Sequence, residues 1–285
     1  KRLYEDKLGS QLLGARTDMA AIRLHCFPDK IAERAVGKLY SICGITPQTN
    51  GTYDDTCRAM KEWGTDIAVL FNIATNAHQQ TSVNNFAASH NDGPTRAFGS
   101  VHPEAENALE ELERIKELGL RGIKLHPDYQ EFFVEEERIF PIYQTCQDLG
   151  LMVAFHAGWE PLSPEVVHTT PKGMVTVLDH FPNLTVILAH MGGFNMWEDV
   201  EKYMIGRNNV YLDTSLAMGN MPREQFVRMV RNHGVKRILF GTDCPWSDGA
   251  AAVEYVKTSG LTEEEQALIF YKNGCELLGI PGENN

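Results

Sequence analysis

The stretch RAFGSVHPEAENALEELERIKELGLRGIKLH, residues 96 to 126, joins two short apolar runs through one longer amphipathic run. The outer runs, 96–101 and 122–126, are too short for helices and read as strands. Between them, PEAENALEELERIKELG has helical periodicity, Pro and Glu in its opening turn, and Gly119 positioned as a C-cap. A strand, a helix and a second strand in succession imply parallel strands joined by a right-handed crossover.

Working outward, the same unit repeats. Strands are expected at 20–27, 65–71, 151–156, 184–190, 209–213 and 237–243, with helices such as DKIAERAVGKLY after the first and PREQFVRMVRNHG before the last. Both faces of these runs are apolar, as strands covered on both sides require. The total of eight strands predicts one α/β domain, a (β/α)8 TIM barrel over residues 20–285. An open doubly wound sheet is the runner-up, but no G-x-G-x-x-G turn follows any strand to support it. Residues 1–19 are polar and patternless, and read as an N-terminal extension of non-native character. The segments 44–55 and 76–94 read as long polar loops of the kind that wall a barrel pocket.

The composition sets outer bounds. Of the 285 residues, 43% are hydrophobic and 22% charged, as in an ordinary globular enzyme, and the net charge of −12 disfavours nucleic acid and anionic membrane as partners. Small molecules are the expected partners, and a homodimer is left open. The six cysteines form no C-x-x-C pair, and no apolar run approaches a membrane span. A reducing, cytoplasmic setting is the expectation.

In a barrel the reactive groups gather at the C-terminal ends of the strands. His25, His102, His126, His156, His190, Asp213 and Asp243 all fall there. Each one taken singly reads as a hydrogen-bonded histidine or a helix cap. Together, imidazoles and a carboxylate arriving from different strands are what a zinc-class ion needs, and such an ion lowers the pKa of bound water toward neutrality. Period-two parity puts Leu239, Gly241 and Asp243 on one face, and likewise pairs Ala154 with His156 and Leu188 with His190.

The ordered motifs GIKLHP, FHAGWE, LAHMGG, VYLDTS and FGTDCPW resemble the amidohydrolase-related group of the amidohydrolase superfamily. These are TIM-barrel, metal-dependent hydrolases that also include aminocarboxymuconate-semialdehyde and related decarboxylases. The resemblance implies His156 as the strand-five metal ligand, Asp243 as the strand-eight ligand and proton acceptor, and His190 as the strand-six histidine that polarises substrate or water. It also implies a first-strand Asp-x-His-x-His, whereas this chain reads Ala21-Ile22-Arg23-Leu24-His25-Cys26-Phe27-Pro28. Either Arg23 replaces the first histidine, or two residues are lost and His25 is that first histidine. A guanidinium does not ligate. The options are weak metal binding, a substitute ligand such as Cys26 or a second carboxylate, or no metal.

The expected metal set is therefore His25, His156 and Asp243, with Asp243 and His190 catalytic. The ion is zinc first, with manganese or iron as alternatives. Lys124 and His126, on one strand-four face, are candidates for an anionic substrate group, and Trp159 and Trp246 for pocket walls. Asp213 reads as a structural acceptor, Cys26 and Cys244 carry no signal of a reactive thiol, and His78, His90, His168, His180 and His233 receive no role. Hydrolysis of an amide, ester or lactone is the first reading. Non-oxidative decarboxylation on the same site is the second, and a catalytically impaired, ligand-binding barrel the third.

Overall fold

The structure is a computed structural model that describes residues 19–281. Its strands are β1 (Ala20–Leu24), β2 (Ile67–Phe71), β3 (Thr95–Phe98), β4 (Gly122–Leu125), β5 (Met152–Phe155), β6 (Val186–Leu188), β7 (Val210–Asp213), and an eighth in two pieces, β8 (Ile238–Leu239) and β9 (Gly241–Cys244). Neighbouring strands pair in parallel throughout. They form two arcs, β3-β2-β1-β9 and β4-β5-β6-β7-β8.

Two seams close the arcs into the expected (β/α)8 TIM barrel. At the first, Gly99 bridges Ile123, with Gly99 N donating to Gly122 O at 2.9 Å and Lys124 N to Gly99 O at 2.7 Å. At the second the chain passes from β8 to β9 through Phe240, whose N–H leaves the sheet to donate to Ile269 O at 3.0 Å. The Thr214 hydroxyl fills that gap, accepting from Gly241 N at 3.1 Å and lying 3.3 Å from Gly241 O.

Val69, Phe71, Phe98, Met152, Ala154, Ile187 and Leu239 fill the barrel interior, and Leu278 of the C-terminal helix Asn273–Leu278 packs with them. Their strand neighbours Leu70, Val153, Leu188, Ile238 and Phe240 belong to the outer layer against the helices. This alternation is the period of two that a strand imposes, and each large apolar side chain so buried contributes about 1.5–3 kcal/mol. Gly122 opens β4 because a Cβ there would lie 2.4 Å from Met152 O and 2.6 Å from the Phe98 ring.

Several expectations change. Residues 76–94 are mostly helical, with a 3-10 turn at Ala77–Gln79 leading into a helix at Gln80–Ser89. Its buried face carries Gln80, Asn84 and Ala87, so amides occupy the helical stripe that apolar residues usually mark. Those amides are bonded: Gln80 Nε2 to Asn107 Oδ1 at 2.9 Å, and Asn84 Nδ2 to Ser100 O at 3.0 Å and Glu111 Oε1 at 2.8 Å. The helix expected from Pro103 begins at Ala108, after turns over 103–107.

Residues 1–18 of the expected extension lie outside the described residues. Met19 belongs to the barrel: it is buried, its N–H donates to Asp66 Oδ2 at 2.9 Å, and its carbonyl accepts from Asp66 N and Ile67 N. The side chains of residues 21–23, Arg23 among them, are also outside the described set. Among the described residues no helix is long and apolar enough to cross a membrane.

Candidate active site

The C-terminal ends of the strands bring together two groups of side chains. In the first, His25 follows β1 and faces Asp243 of β9, the two strands being neighbours with Leu24 opposite Cys244. His25 Nε2 lies 3.3 Å from Asp243 Oδ1, and His25 Nδ1 lies 2.5 Å from the Phe71 carbonyl oxygen. A carbonyl only accepts, so Nδ1 carries a hydrogen. Nε2 then meets a carboxylate oxygen, and that contact is attractive only with a proton or a cation between the two atoms. Gly241 stands close beneath, since a Cβ there would lie 3.2 Å from Asp213 Cβ.

The second group is His126, His156 and Glu160. All three are buried, and among the described residues this is the group of three such donors whose ligand atoms all lie within 4.8 Å of one another. Glu160 Oε2 is 3.4 Å from His156 Nε2 and 3.6 Å from His126 Nε2. Metal bonds of about 2.1 Å at the tetrahedral angle separate two ligand atoms by about 3.4 Å, so the donors fit a zinc- or manganese-class ion in identity, and the two Glu160 contacts fit it in spacing. The two imidazoles stack at 4.3 Å and 9°, and Tyr129 covers the other face of His126 at 3.7 Å and 11°. Lone pairs lie in the ring planes, so a shared ion requires one of the two rings to turn.

Tyr129 links the groups. Burial and the charges of Glu160 and Asp243 raise its hydroxyl pKa, so both carboxylates act on one phenol. Of the expected trio, His25 and Asp243 lie 3.3 Å apart, and His156 lies 3.4 Å from Glu160.

Sequence reasoning missed Glu160 because it lies in the loop after β5 and not at a strand end. The loop returns it to the site through Gly158, which has φ 87° and bridges Phe194. A Cβ on Gly158 would lie 2.1 Å from Phe194 N, so only glycine permits this approach. Trp159 N donates to Phe194 O, and Phe194 N to Ala157 O, both at 2.9 Å, which fixes the residues that flank Glu160. The spacing His156, Gly158, Glu160 was the available signal.

His190 reaches the site against the parity expected of it. Ile187 points into the barrel and Leu188 outward, so continued alternation would send His190 outward as well. Left-handed backbone at His190 (φ 57°) and Met191 (φ 55°) redirects the chain, and His190 meets the His156 ring edge-on at 5.1 Å. Asp213 holds this bend as a structural acceptor: its Oδ1 receives His190 N at 3.1 Å, Ser215 N at 3.0 Å and the Ser215 hydroxyl. The hydroxyl hydrogen is used in that last bond, so Ser215 Oγ, 3.0 Å from His190 Nδ1, accepts from Nδ1–H.

Lys124 is fully buried in the barrel, its ammonium 5.9 Å from the Phe71 ring centroid. His126, expected at the substrate, stands in the donor group. Trp159 and Trp246 are half-buried beside the site: Trp159 Nε1 donates to Pro164 O at 3.3 Å, and Trp246 N to Asp243 O at 2.8 Å. Burial pushes the Cys26 and Cys244 thiols up to about 12, which leaves neither as a nucleophile near neutrality.

A family model described as "Amidohydrolase" matches residues 54–280. The gamma-resorcylate decarboxylase of Polaromonas sp. (strain JS666) is 24% identical over 236 residues, covering 66% of this chain and 72% of that protein. The 2-amino-3-carboxymuconate-6-semialdehyde decarboxylase of Dictyostelium discoideum is 26% identical over 211 residues, covering 61% of this chain and 58% of that protein, less than two thirds of its length. Among solved structures, a dihydroxybenzoic acid decarboxylase from Polaromonas sp. JS666, with bound manganese and the inhibitor 2-nitroresorcinol, aligns with a TM-score of 0.68 at 20% identity. That alignment covers 93% of this chain and 97% of the other, and its likeness is one of fold.

Proposed function

Because the chain belongs to the amidohydrolase family, we propose that it is a metal-dependent, non-oxidative decarboxylase that releases CO2 from a small, unsaturated or aromatic carboxylate. The observation that carries this reading is the likeness to relatives named as decarboxylases, and the His25–Asp243 contact at 3.3 Å, read as a couple that holds a proton, together with the donor group His126, His156 and Glu160 supports it. Hydrolysis asks for a base beside a bound water, whereas decarboxylation asks for an acid that delivers a proton to carbon. Relatives named as decarboxylases support the second chemistry over the hydrolysis that came first in the sequence reading.

His126, His156 and Glu160 would hold the ion, with manganese the first to load because a neighbour of this fold carries it. When bound, a divalent ion there supplies positive charge for the substrate's carboxylate and any adjacent oxygen. Asp243 and His25 hold the proton between Oδ1 and Nε2 and deliver it to the carbon that bears the carboxylate. The bond from that carbon to CO2 then breaks, its electron pair staying with the carbon that gained the proton. The couple regains its proton from solvent, so the balance is R–COO⁻ + H⁺ → R–H + CO2. His190 Nε2, its ring fixed through Nδ1 by Ser215, orients the substrate, and Trp159 and Trp246 wall the pocket.

The test is to load the metal-free chain with manganese or zinc, supply dihydroxybenzoates, and follow CO2 alongside hydrolysis of ester and lactone substrates. Metal-dependent CO2 release is the expected result. Hydrolysis without CO2 would restore the first reading, and metal uptake without turnover of either class would favour the impaired barrel.

A further inference from the structure

We propose that Asp128 is a positioning residue that sets the tautomer of His126 and fastens it to the loop carrying Glu160. The inference rests on the proposed donor trio. Asp128 lies in the short helix Pro127–Gln130 directly after His126, and its side chain is wholly shielded from solvent. Its Oδ1 accepts from Ser163 Oγ at 2.5 Å and from His168 Nδ1 at 2.9 Å. Both donors belong to the segment after β5 that contains Glu160. His168, which had no role on sequence grounds, is itself fixed by stacking on Phe133 at 4.7 Å and by its carbonyl accepting from Val134 N at 3.1 Å.

The other oxygen lies behind the His126 ring, on its Nδ1 side. Asp128 Oδ2 is buried without a hydrogen bond among the described residues and lies 3.8 Å from His126 Nδ1. A carboxylate oxygen attracts an N–H and repels a lone pair, so it favours the form of His126 with hydrogen on Nδ1. The lone pair then falls on Nε2, the atom that faces Glu160 Oε2. A carboxylate behind a ligating histidine fixes the ring and raises its basicity, and removing such a partner typically costs 10–100-fold in metal affinity. One carboxylate therefore serves two donors: through Oδ2 it orients His126, and through Oδ1 it anchors the loop of Glu160.

The experiment uses the full chain, with Asp128→Asn as the near-isosteric variant, Asp128→Ala as the deletion, and thermal melts to verify folding. Nitrogen-15 NMR on the metal-free protein, with His126→Gln to assign the ring, reads the tautomer at a pH where the ring is neutral. The expected result is Nδ1–H in the parent chain, a mixture of forms in both variants, and about 10–100-fold weaker manganese and zinc binding by chelator competition. Ser163→Ala combined with His168→Phe is expected to raise hydrogen exchange across 158–170 while leaving the tautomer in place. An unchanged His126 tautomer in both Asp128 variants would overturn the proposal. If the parent chain takes up neither metal, the trio fails as a metal site, and the tautomer measurement still decides what Asp128 does.

Discussion

His25 lies between the Phe71 carbonyl and the Asp243 carboxylate, donating from Nδ1 at 2.5 Å and facing Oδ1 from Nε2 at 3.3 Å. The carbonyl fixes the tautomer, so the second nitrogen can only meet the carboxylate through a proton or a cation. His25→Gln and Asp243→Asn each lower kcat by about 10²–10⁴ with a smaller change in KM, since a positioned acid acts on the transition state. Steady-state CO2 release measures both, and a loss confined to KM would assign the couple to substrate binding.

Gly158→Ala places a methyl group 2.1 Å from Phe194 N and 2.4 Å from Phe194 O, where backbone cannot yield as a side chain does. The expected cost is about 3 kcal/mol or more in urea unfolding, together with loss of metal uptake as Glu160 leaves the trio. Metal stoichiometry at full parental stability would show that the loop finds another route.

Ser215→Ala removes the hydroxyl between Asp213 and His190. His190 Nδ1 keeps only the Ser215 carbonyl at 3.3 Å, so the ring loses much of its orientation. The expected change is about tenfold in kcat, with mixed tautomers of His190 by nitrogen-15 NMR.

His233 predicts an acid limit on stability. It is buried, its Nε2 donates to Val210 O at 2.8 Å, and its Nδ1 accepts from Gly206 N at 3.2 Å. Burial lowers its pKa from 6.5 to about 4. As pH falls below 6.5 the unfolded chain takes up this proton first, so the native state loses stability from there down to about pH 4. The loss approaches about 3 kcal/mol by linkage. His233→Gln, which can still donate and accept, flattens this acid slope when urea midpoints at pH 7.5 and 4.5 are compared.

The barrel was legible because its strands are apolar on both faces and bounded by amphipathic helices, so neither period had a rival. The placing of His25, His156 and Asp243 at strand ends was legible because a polar group ending an apolar run stands out. The sequence could not show that His25 meets Asp243, since that depends on the closure that puts β9 against β1. Glu160 was hidden by a loop turn that exists only through the packing of Gly158 on Phe194. The helix at Gln80–Ser89 was hidden because its inward stripe is made of amides whose partners, Asn107, Ser100 and Glu111, lie far along the chain. Parity misled at His190 because two left-handed residues reset it.

The barrel's two arcs divide the chemistry as well as the sheet. His25 and Asp243 ride on the arc of β1 and β9, while His126, His156 and His190 ride on the arc of β4 to β6. Where the arcs meet, one seam is a single bridge at Gly99 and the other a side-chain patch at Thr214. The closure of the cylinder, and not either arc alone, thus sets the spacing between the two sets of side chains, and Gly99 and Thr214 stand at its joins.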